Sequence, residues 1–417
     1  MKGVRINLDK DVFHAAIILI TFALLGTQNA VHYPFAVMSA IGLWLIVKNP
    51  SAIYEKGSRN FFCVFALVWS PMLLSLLGAT DLDSASKTTF SYLHFLFGGY
   101  YVYWAAHREK TYRLVGTGVF ALVFFALSDA LIQFIFAVDL FGFPYDGATL
   151  KGLFYPKERL GIFLAVLSPL VLYVISTKRY KIFFYVAAIP LIVFILLLCV
   201  KRSAWIMLGL SMLGFSYLIW MNYGTTKKFV AMGFSVLTAF SLSFAVVMYT
   251  PTYKNEVTLS SGFSSGDLQK IDIASNYRLS LWRTGLSMFL SEPVNGIGPR
   301  GYRHVYAEYA DPTDFWLRGG ENGQTHPHLQ VLEIAVETGL IGLIGFLFVY
   351  LFFLREIFRE TKISMKAIWV LAVLVAWFPL NTHLAFYGSY WASFVWLLIP
   401  LALAQPSAEL SRKKVPI

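Results

Sequence analysis

The sequence predicts a polytopic, all-α membrane protein with about twelve transmembrane helices. Three observations carry that prediction. Hydrophobic residues make up 57% of the 417 positions and charged residues only 14%, and the mean hydropathy is +0.63, which excludes a soluble globule. The apolar stretches are long and lack the alternation of barrel strands, so in lipid only helices satisfy their backbone. Most of the 34 basic residues gather in the two termini and every second connection, the sidedness expected of a multi-pass chain.

The predicted spans are at about 12–28, 33–47, 61–79, 87–106, 114–138, 160–176, 182–200, 203–221, 229–249, 329–354, 366–382 and 388–405. An even number puts both termini on one face. Connections on that face carry Lys48, Lys56, Arg59, Arg108, Lys110, Arg113, Arg355 and Arg359 among others, which marks it as cytoplasmic. The net charge of +11 is therefore a topology signal and not a nucleic-acid footprint. Cys63 and Cys199 lie inside apolar runs and read as packing residues. The first apolar run leads into the second with no small-residue cleavage site, so no cleavable signal peptide is expected.

No internal repeat or low-complexity linker is visible, and residues 1–417 read as a single membrane domain. On the outer face stand a loop of about 139–159, the tight connection Lys201-Arg202, and a long polar segment, 250–328, expected to fold over the membrane domain. Pro251, Gly262, Ser264, Ser265 and Gly266 predict irregular chain in that segment. After them, 276–289 has the pattern of an amphipathic helix that could lie on the membrane surface.

His328 is the candidate centre. Pro327 fits the first turn of a helix, so a helix is predicted to begin there and run through Val336 into the apolar 340–353. At about 100° per residue Leu332, Ala335, Gly339 and Gly342 share the face of His328, and Glu333 and Glu337 fall on the opposite one. Any group orienting the imidazole is then expected from elsewhere in the chain. The plainer alternative is an interfacial histidine at a helix start.

Arg202 is a positive charge on the outer face with no acidic neighbour in sequence, which suggests a cavity and an anion; snorkelling to headgroups is the alternative. Arg159 closes the 139–159 loop, where a salt bridge to Glu158 competes with ligand binding. Arg278 opens the amphipathic segment, and Lys87 enters the fourth span from the same side. Fixed cations around one histidine suit a phosphate-bearing lipid: arginines hold a pyrophosphate leaving group and an imidazole removes a hydroxyl proton. Asp81-Leu82-Asp83 has the spacing of a metal clamp, and His326-Pro327-His328 offers two imidazoles without a third ligand; neither makes a metal site the preferred reading. No phosphate cradle or redox-cofactor signature is present, and Gly296-Ile297-Gly298 reads as a turn.

His328-Leu329, nine residues, then Gly339-Leu340-Ile341-Gly342 resembles the signature of the bacterial O-antigen ligases, except that Leu329 stands where the family usually has Asn, Ser or Gln. Arg159-Leu160-Gly161, Arg202-Ser203-Ala204-Trp205, Arg278 through Trp282 and Pro293-Val294-Asn295-Gly296-Ile297-Gly298 resemble the same family in order and sidedness. The resemblance implies a metal-independent, inverting glycosyltransferase of the GT-C type, without cofactor. Such an enzyme moves O-antigen glycan from undecaprenyl pyrophosphate to lipid A-core at the periplasmic face of the inner membrane. It implies His328 as general base, Arg159, Arg202 and Arg278 on the pyrophosphate, and Lys87 as a further contact. O-antigen polymerases and protein O-oligosaccharyltransferases share the donor and remain alternatives. A transporter or flippase for an anionic lipid-linked substrate is the alternative of another class, although neither paired discontinuous helices nor repeated halves are visible.

Overall fold

The computed structural model describes residues 9–27, 29–176, 181–223, 261–320, 322–382 and 384–406, with 241, 244, 245, 248 and 258 as separate positions. The predicted span at about 229–249 and the start of the long loop lie almost wholly outside the described residues.

Helices fill the other predicted spans: α1 (Lys10–Leu24), α2 (His32–Lys48), α3 (Lys56–Leu74), α4 (Leu82–Ser91) and α5 (Leu93–Ala106) in place of one fourth span, α6 (Glu109–Phe136), α7 (Leu160–Ser176), α8 (Lys181–Leu198) and α9 (Arg202–Tyr223). The polar segment then supplies α10 (Leu268–Ala274), α11 (Arg278–Ser291) and α12 (Tyr302–Tyr309), and the chain returns to apolar helix in α13 (Gln330–Arg359), α14 (Met365–Ala376) and α15 (Ser389–Leu403). Among the described residues there is no strand, only an isolated bridge between Val138 and Pro144. Among the described residues four segments, Gly57–Gly78, Glu109–Phe136, Arg202–Asn222 and Gln330–Arg359, are long and apolar enough to cross a membrane, and the other apolar helices there are shorter. The long helices leave large apolar residues exposed, such as Phe124, Phe136, Leu213, Phe348 and Leu351, the surface that lipid would cover. The molecule is a multi-pass helical membrane protein.

Helices α7, α14 and α15 bury nearly every residue and form the centre of the bundle. Helix α7 packs on α6, α8, α9 and α14, and α15 on α14 and α5. Pro169 inside α7 cannot donate to the Ala165 carbonyl, which in lipid would be costly to leave alone. Ser211 on α9 donates its hydroxyl to that oxygen at 2.6 Å, and Ser168 does so at 3.2 Å. The broken ladder thereby becomes an interhelical contact. Small residues bring other pairs close: a Cβ at Gly42 on α2 would overlap the Phe97 carbonyl of α5, and one at Gly345 on α13 would overlap that of Leu67 on α3.

The polar segment builds a second, smaller core from Leu281, Met288, Ile297, Tyr302, Val305, Tyr306 and Val336. The amphipathic pattern that predicts a surface-lying helix is α11, but its apolar face is turned inward. Leu281, Thr284, Gly285 and Met288 are buried as α11 packs on α12 and α13, because protein and not lipid covers that stripe.

Helix α13 is not continuous as the sequence predicts. Gly339 has φ +64° and ψ −163°, a conformation essentially confined to glycine, and the helix breaks there. An intact helix would pair the Leu340 and Ile341 amides with the Val336 and Glu337 carbonyls. Here those amides donate to Pro293 O (2.8 Å) and Val294 O (3.4 Å), and the two carbonyls accept from Ile297 N (2.9 Å) and Gly298 N (3.0 Å). The 293–298 segment is thus a splint that satisfies both sides of the break. Its glycine at 296 (φ +70°) allows the approach, since a Cβ there would overlap the Glu337-Thr338 backbone. What reads in sequence as a turn is the part that divides α13 in two.

Candidate active site

The helix of His328 begins later than Pro327 suggests. Leu329 is its extended N-cap (φ −151°, ψ 113°), and His328 occupies the left-handed region at φ +50°, in the turn before the helix. His328 therefore shares no helical face with Leu332, Ala335, Gly339 or Gly342. Two of the unpaired donors of the first turn are satisfied by the α14–α15 connection, Gln330 N on Asn381 O (2.9 Å) and Val331 N on Pro379 O (3.1 Å). The Asn381 amide in turn donates to Val375 O (3.2 Å) and Ala376 O (2.8 Å), which fixes that connection to the end of α14. His328 is half-buried, and the His326 ring lies against it with centroids 4.0 Å apart and planes at 46°. The Thr325 hydroxyl is 3.0 Å from His326 Nδ1.

Each arginine predicted from sequence sits at the start of a helix. Arg159 precedes α7, its guanidinium 4.0 Å from the ring centroid of Tyr390 at the start of α15. Its Nη1 finds no acceptor among the described residues. Burial pulls the pKa of Arg159 below that of an ordinary arginine, yet the group stays a cation. Glu158 pairs with Lys201 and so does not neutralise Arg159. Arg202, first residue of α9, donates from Nη1 to Ala274 O at the end of α10 (2.5 Å) and lies 5.7 Å from the Phe263 ring. Arg278, first residue of α11, donates from Nη1 to the Thr382 hydroxyl at 3.2 Å.

A small crevice lies among these helix ends, lined by Ile162, Ser203, Gln330, Thr382 and Trp391 among others. Ile162 follows Arg159 on α7, Ser203 is next to Arg202, Gln330 stands two places after His328, Thr382 bonds Arg278, and Trp391 adjoins Tyr390. The elements that carry the histidine and three arginines therefore converge, although they are far apart in sequence. Lys87 is exposed on α4 and is not among the lining residues.

Asp81 of the Asp-x-Asp motif caps α4, accepting from Ser84 N at 2.8 Å, with its second oxygen 3.5 Å from His304 Nδ1; Asp83 is exposed in the same first turn. Among the described residues no three His, Cys, Asp or Glu side chains converge as metal ligands.

Glu333 and Glu337 are fully buried. Glu333 accepts from Phe386 N at 2.9 Å and Glu337 from Arg300 N at 2.7 Å, so they anchor the first half of α13 to the α14–α15 connection on one side and to the polar segment on the other. The remaining carboxylate oxygens, Oε1 of each, find no hydrogen-bond partner among the described residues. Two carboxylates spaced i, i+4 in an apolar helix were a signal available in the sequence. Tyr390, Asn381 and Thr382 gave none, since their roles depend on what packs beside them.

Residues 186–347 match the family model described as O-Antigen ligase. That segment contains Arg202, Arg278, His328 and Gly339, and leaves Arg159 and Lys87 outside. A protein of Rickettsia conorii with the name "Putative polysaccharide ligase" is 28% identical over 92 residues, 22% of this chain and 22% of that protein, so the match spans about a fifth of the relative's length. Over 186–347, from α8 through the splint to the lower half of α13, this chain is similar to the O-antigen ligase family.

Proposed function

We propose that the protein is a glycosyltransferase of the GT-C type, with about twelve spans, in the bacterial inner membrane. It ligates O-antigen glycan from undecaprenyl pyrophosphate onto lipid A-core, without a metal and with inversion, as a step of lipopolysaccharide biosynthesis. Its termini are cytoplasmic and the crevice opens to the periplasm. What supports this reading is that sequence neighbours or bonded partners of Arg159, Arg202, Arg278 and His328 line one crevice, within and beside the segment that matches the O-antigen ligase family.

In the reaction the arginines bind the pyrophosphate and Lys87 is a further contact. Arg159 suits the task because its half-buried guanidinium has an unused donor. His328 takes the proton of an acceptor sugar hydroxyl. The acceptor oxygen attacks the anomeric carbon from the face opposite the pyrophosphate, and the bond to that group breaks. Undecaprenyl pyrophosphate leaves with the electron pair, its charge stabilised by the guanidiniums, and the proton stays on the imidazole until solvent takes it.

The test combines purified protein, glycan-loaded undecaprenyl pyrophosphate and rough lipopolysaccharide in the presence of a chelator. Glycan joined to lipid A-core is the expected product. Glycan-glycan growth would make the protein a polymerase, transfer to a protein acceptor a protein O-oligosaccharyltransferase, and donor movement across the bilayer without any new bond a flippase.

A further inference from the structure

The polar segment carries a second concave surface, separate from the crevice. An open groove of about 800 Å³, within the size range of ligand sites, roughly 300–1,000 Å³, runs between α10, α11 and the chain at 309–318. Gln269, Arg283, Ser287, Tyr309, Asp311 and Arg318 are among its lining residues.

Its walls are braced before any ligand arrives. Asp272 accepts from the Ser280 hydroxyl (2.6 Å) and from Leu279 N (2.9 Å), and Asp314 accepts from the Tyr306 hydroxyl (2.9 Å). The Trp316 ring N–H donates to Tyr277 O at 3.1 Å, and the Tyr277 and Phe315 rings stack in parallel at 3.7 Å. Those bonds consume Asp272 and Asp314. They do not consume Arg283 or Arg318, which are exposed and form no salt bridge among the described residues.

The Ser280, Ser287 and Thr313 hydroxyls and one Asp311 oxygen are bonded within the groove wall, and what remains is two guanidinium forks, the Gln269 amide, the Tyr309 O–H and the second Asp311 oxygen. That set pairs with vicinal hydroxyl groups. Both signs of charge are present, which disfavours a polyanion, and so many polar groups disfavour an acyl chain. The two surfaces share no lining residue, but one helix links them. Arg278 at the start of α11 bonds Thr382 in the crevice lining, and Ser280, Arg283, Thr284 and Ser287 follow at helical spacing on the groove. At 1.5 Å per residue this stripe extends about 14 Å along the helix from Arg278.

We propose that the groove is a glycan-binding subsite, which holds the sugars of a substrate chain beyond the unit at the crevice. The identity of that chain rests on the glycosyltransferase reading; the binding itself does not.

The experiment uses the full chain in lipid nanodiscs and, as probe, free oligosaccharides cut by mild acid from the surface polysaccharide of the cells that make this protein, with binding read by saturation-transfer NMR and calorimetry. Wild type and His328→Ala are expected to bind with the same Kd. The Arg283→Ala/Arg318→Ala variant, which removes two charged donors from an exposed surface, is expected to bind about tenfold to a hundredfold more weakly. Ser287→Trp, which fills the groove and leaves both guanidinium groups in the chain, should weaken binding as well. A wild type that binds no oligosaccharide, or groove variants that bind as tightly as wild type, would overturn the proposal. Failure of the ligase reading looks different: wild type gives no product with donor and acceptor both present, while oligosaccharide binding is unaffected.

Discussion

The two halves of α13 are one stretch of chain and meet two different surroundings. Beyond Gly339, the helix buries Gly342, Gly345, Phe346, Val349 and Phe353 and exposes Leu340, Ile344, Leu347, Phe348 and Leu351, as a span against lipid does. Before Gly339, it buries Gln330, Glu333, Glu337 and Thr338. Those polar groups are tied to neighbours: Glu333 to Phe386 N, Glu337 to Arg300 N, and Thr338 to Ile334 O (2.8 Å) and the Tyr387 hydroxyl (3.0 Å). Lipid-facing helix is positioned by shape and small residues, whereas the half next to His328 is positioned by hydrogen bonds to separate segments of the chain. The second arrangement holds a turn in one place without the helix continuing through it.

The largest expected effect separates the halves by chemistry. His328→Ala should lower the ligation rate by about 10²–10⁴ while leaving the melting temperature in nanodiscs near that of wild type. Leu351→Ala, on the lipid side of the lower half, should leave the rate unchanged. Equal losses in the two variants would remove the contrast.

Next in size is the junction itself. Gly339→Ala places a Cβ against the Val294 carbonyl and forces alanine into a glycine-only conformation, a strain of about 1–3 kcal/mol before the overlap is counted. A clear fall in melting temperature is expected, and an unchanged one would mean that the break is not required.

The Arg159–Tyr390 contact asks whether the upper region needs a fork or only a charge. Arg159→Lys keeps the charge but loses the planar donors, so the KM for the donor lipid should rise by about tenfold or more. Tyr390→Phe should be nearly silent, because the ring carries the contact and the hydroxyl has no partner among the described residues. A full rescue by lysine would show that charge alone suffices.

The smallest effect belongs to the 139–159 loop. Lys151 donates to Asp146 at 2.8 Å and holds its pKa down to about 2. A depressed carboxylate contributes stability that is present above its unfolded pKa, about 3.9, and is lost as pH falls through the folded value. Asp146→Asn should therefore matter only above that acid window. The pair is partly exposed, so its worth is about 1 kcal/mol or less. Acid-melting curves of the two proteins should converge near pH 2.

Much of this was readable beforehand because lipid imposes simple rules. Apolar length located the helices, and Arg202 stood out because a positive charge in a tight connection on the outer face runs against the topology. Other features depended on partners distant in the chain. Nothing around Gly339 announces that Pro293–Gly298 will accept and return its hydrogen bonds. Nothing around Pro327 says that the carbonyls of Pro379 and Asn381 will fix the helix start at Gln330. The amphipathic stripe of α11 was visible, but whether lipid or protein covers it depends on where α12 and α13 lie.

The sequence by itself determined that the chain is a helical membrane protein and which few polar residues were out of place in it, since transfer of side chains and backbone into an apolar solvent is a local property. Tertiary structure alone decided that α13 is split, that Glu333 and Glu337 anchor its first half, and that Tyr390 and Thr382 are the partners of two arginines. Those outcomes come from backbone and side-chain bonds between segments remote in sequence, and such bonds exist only once the segments have packed.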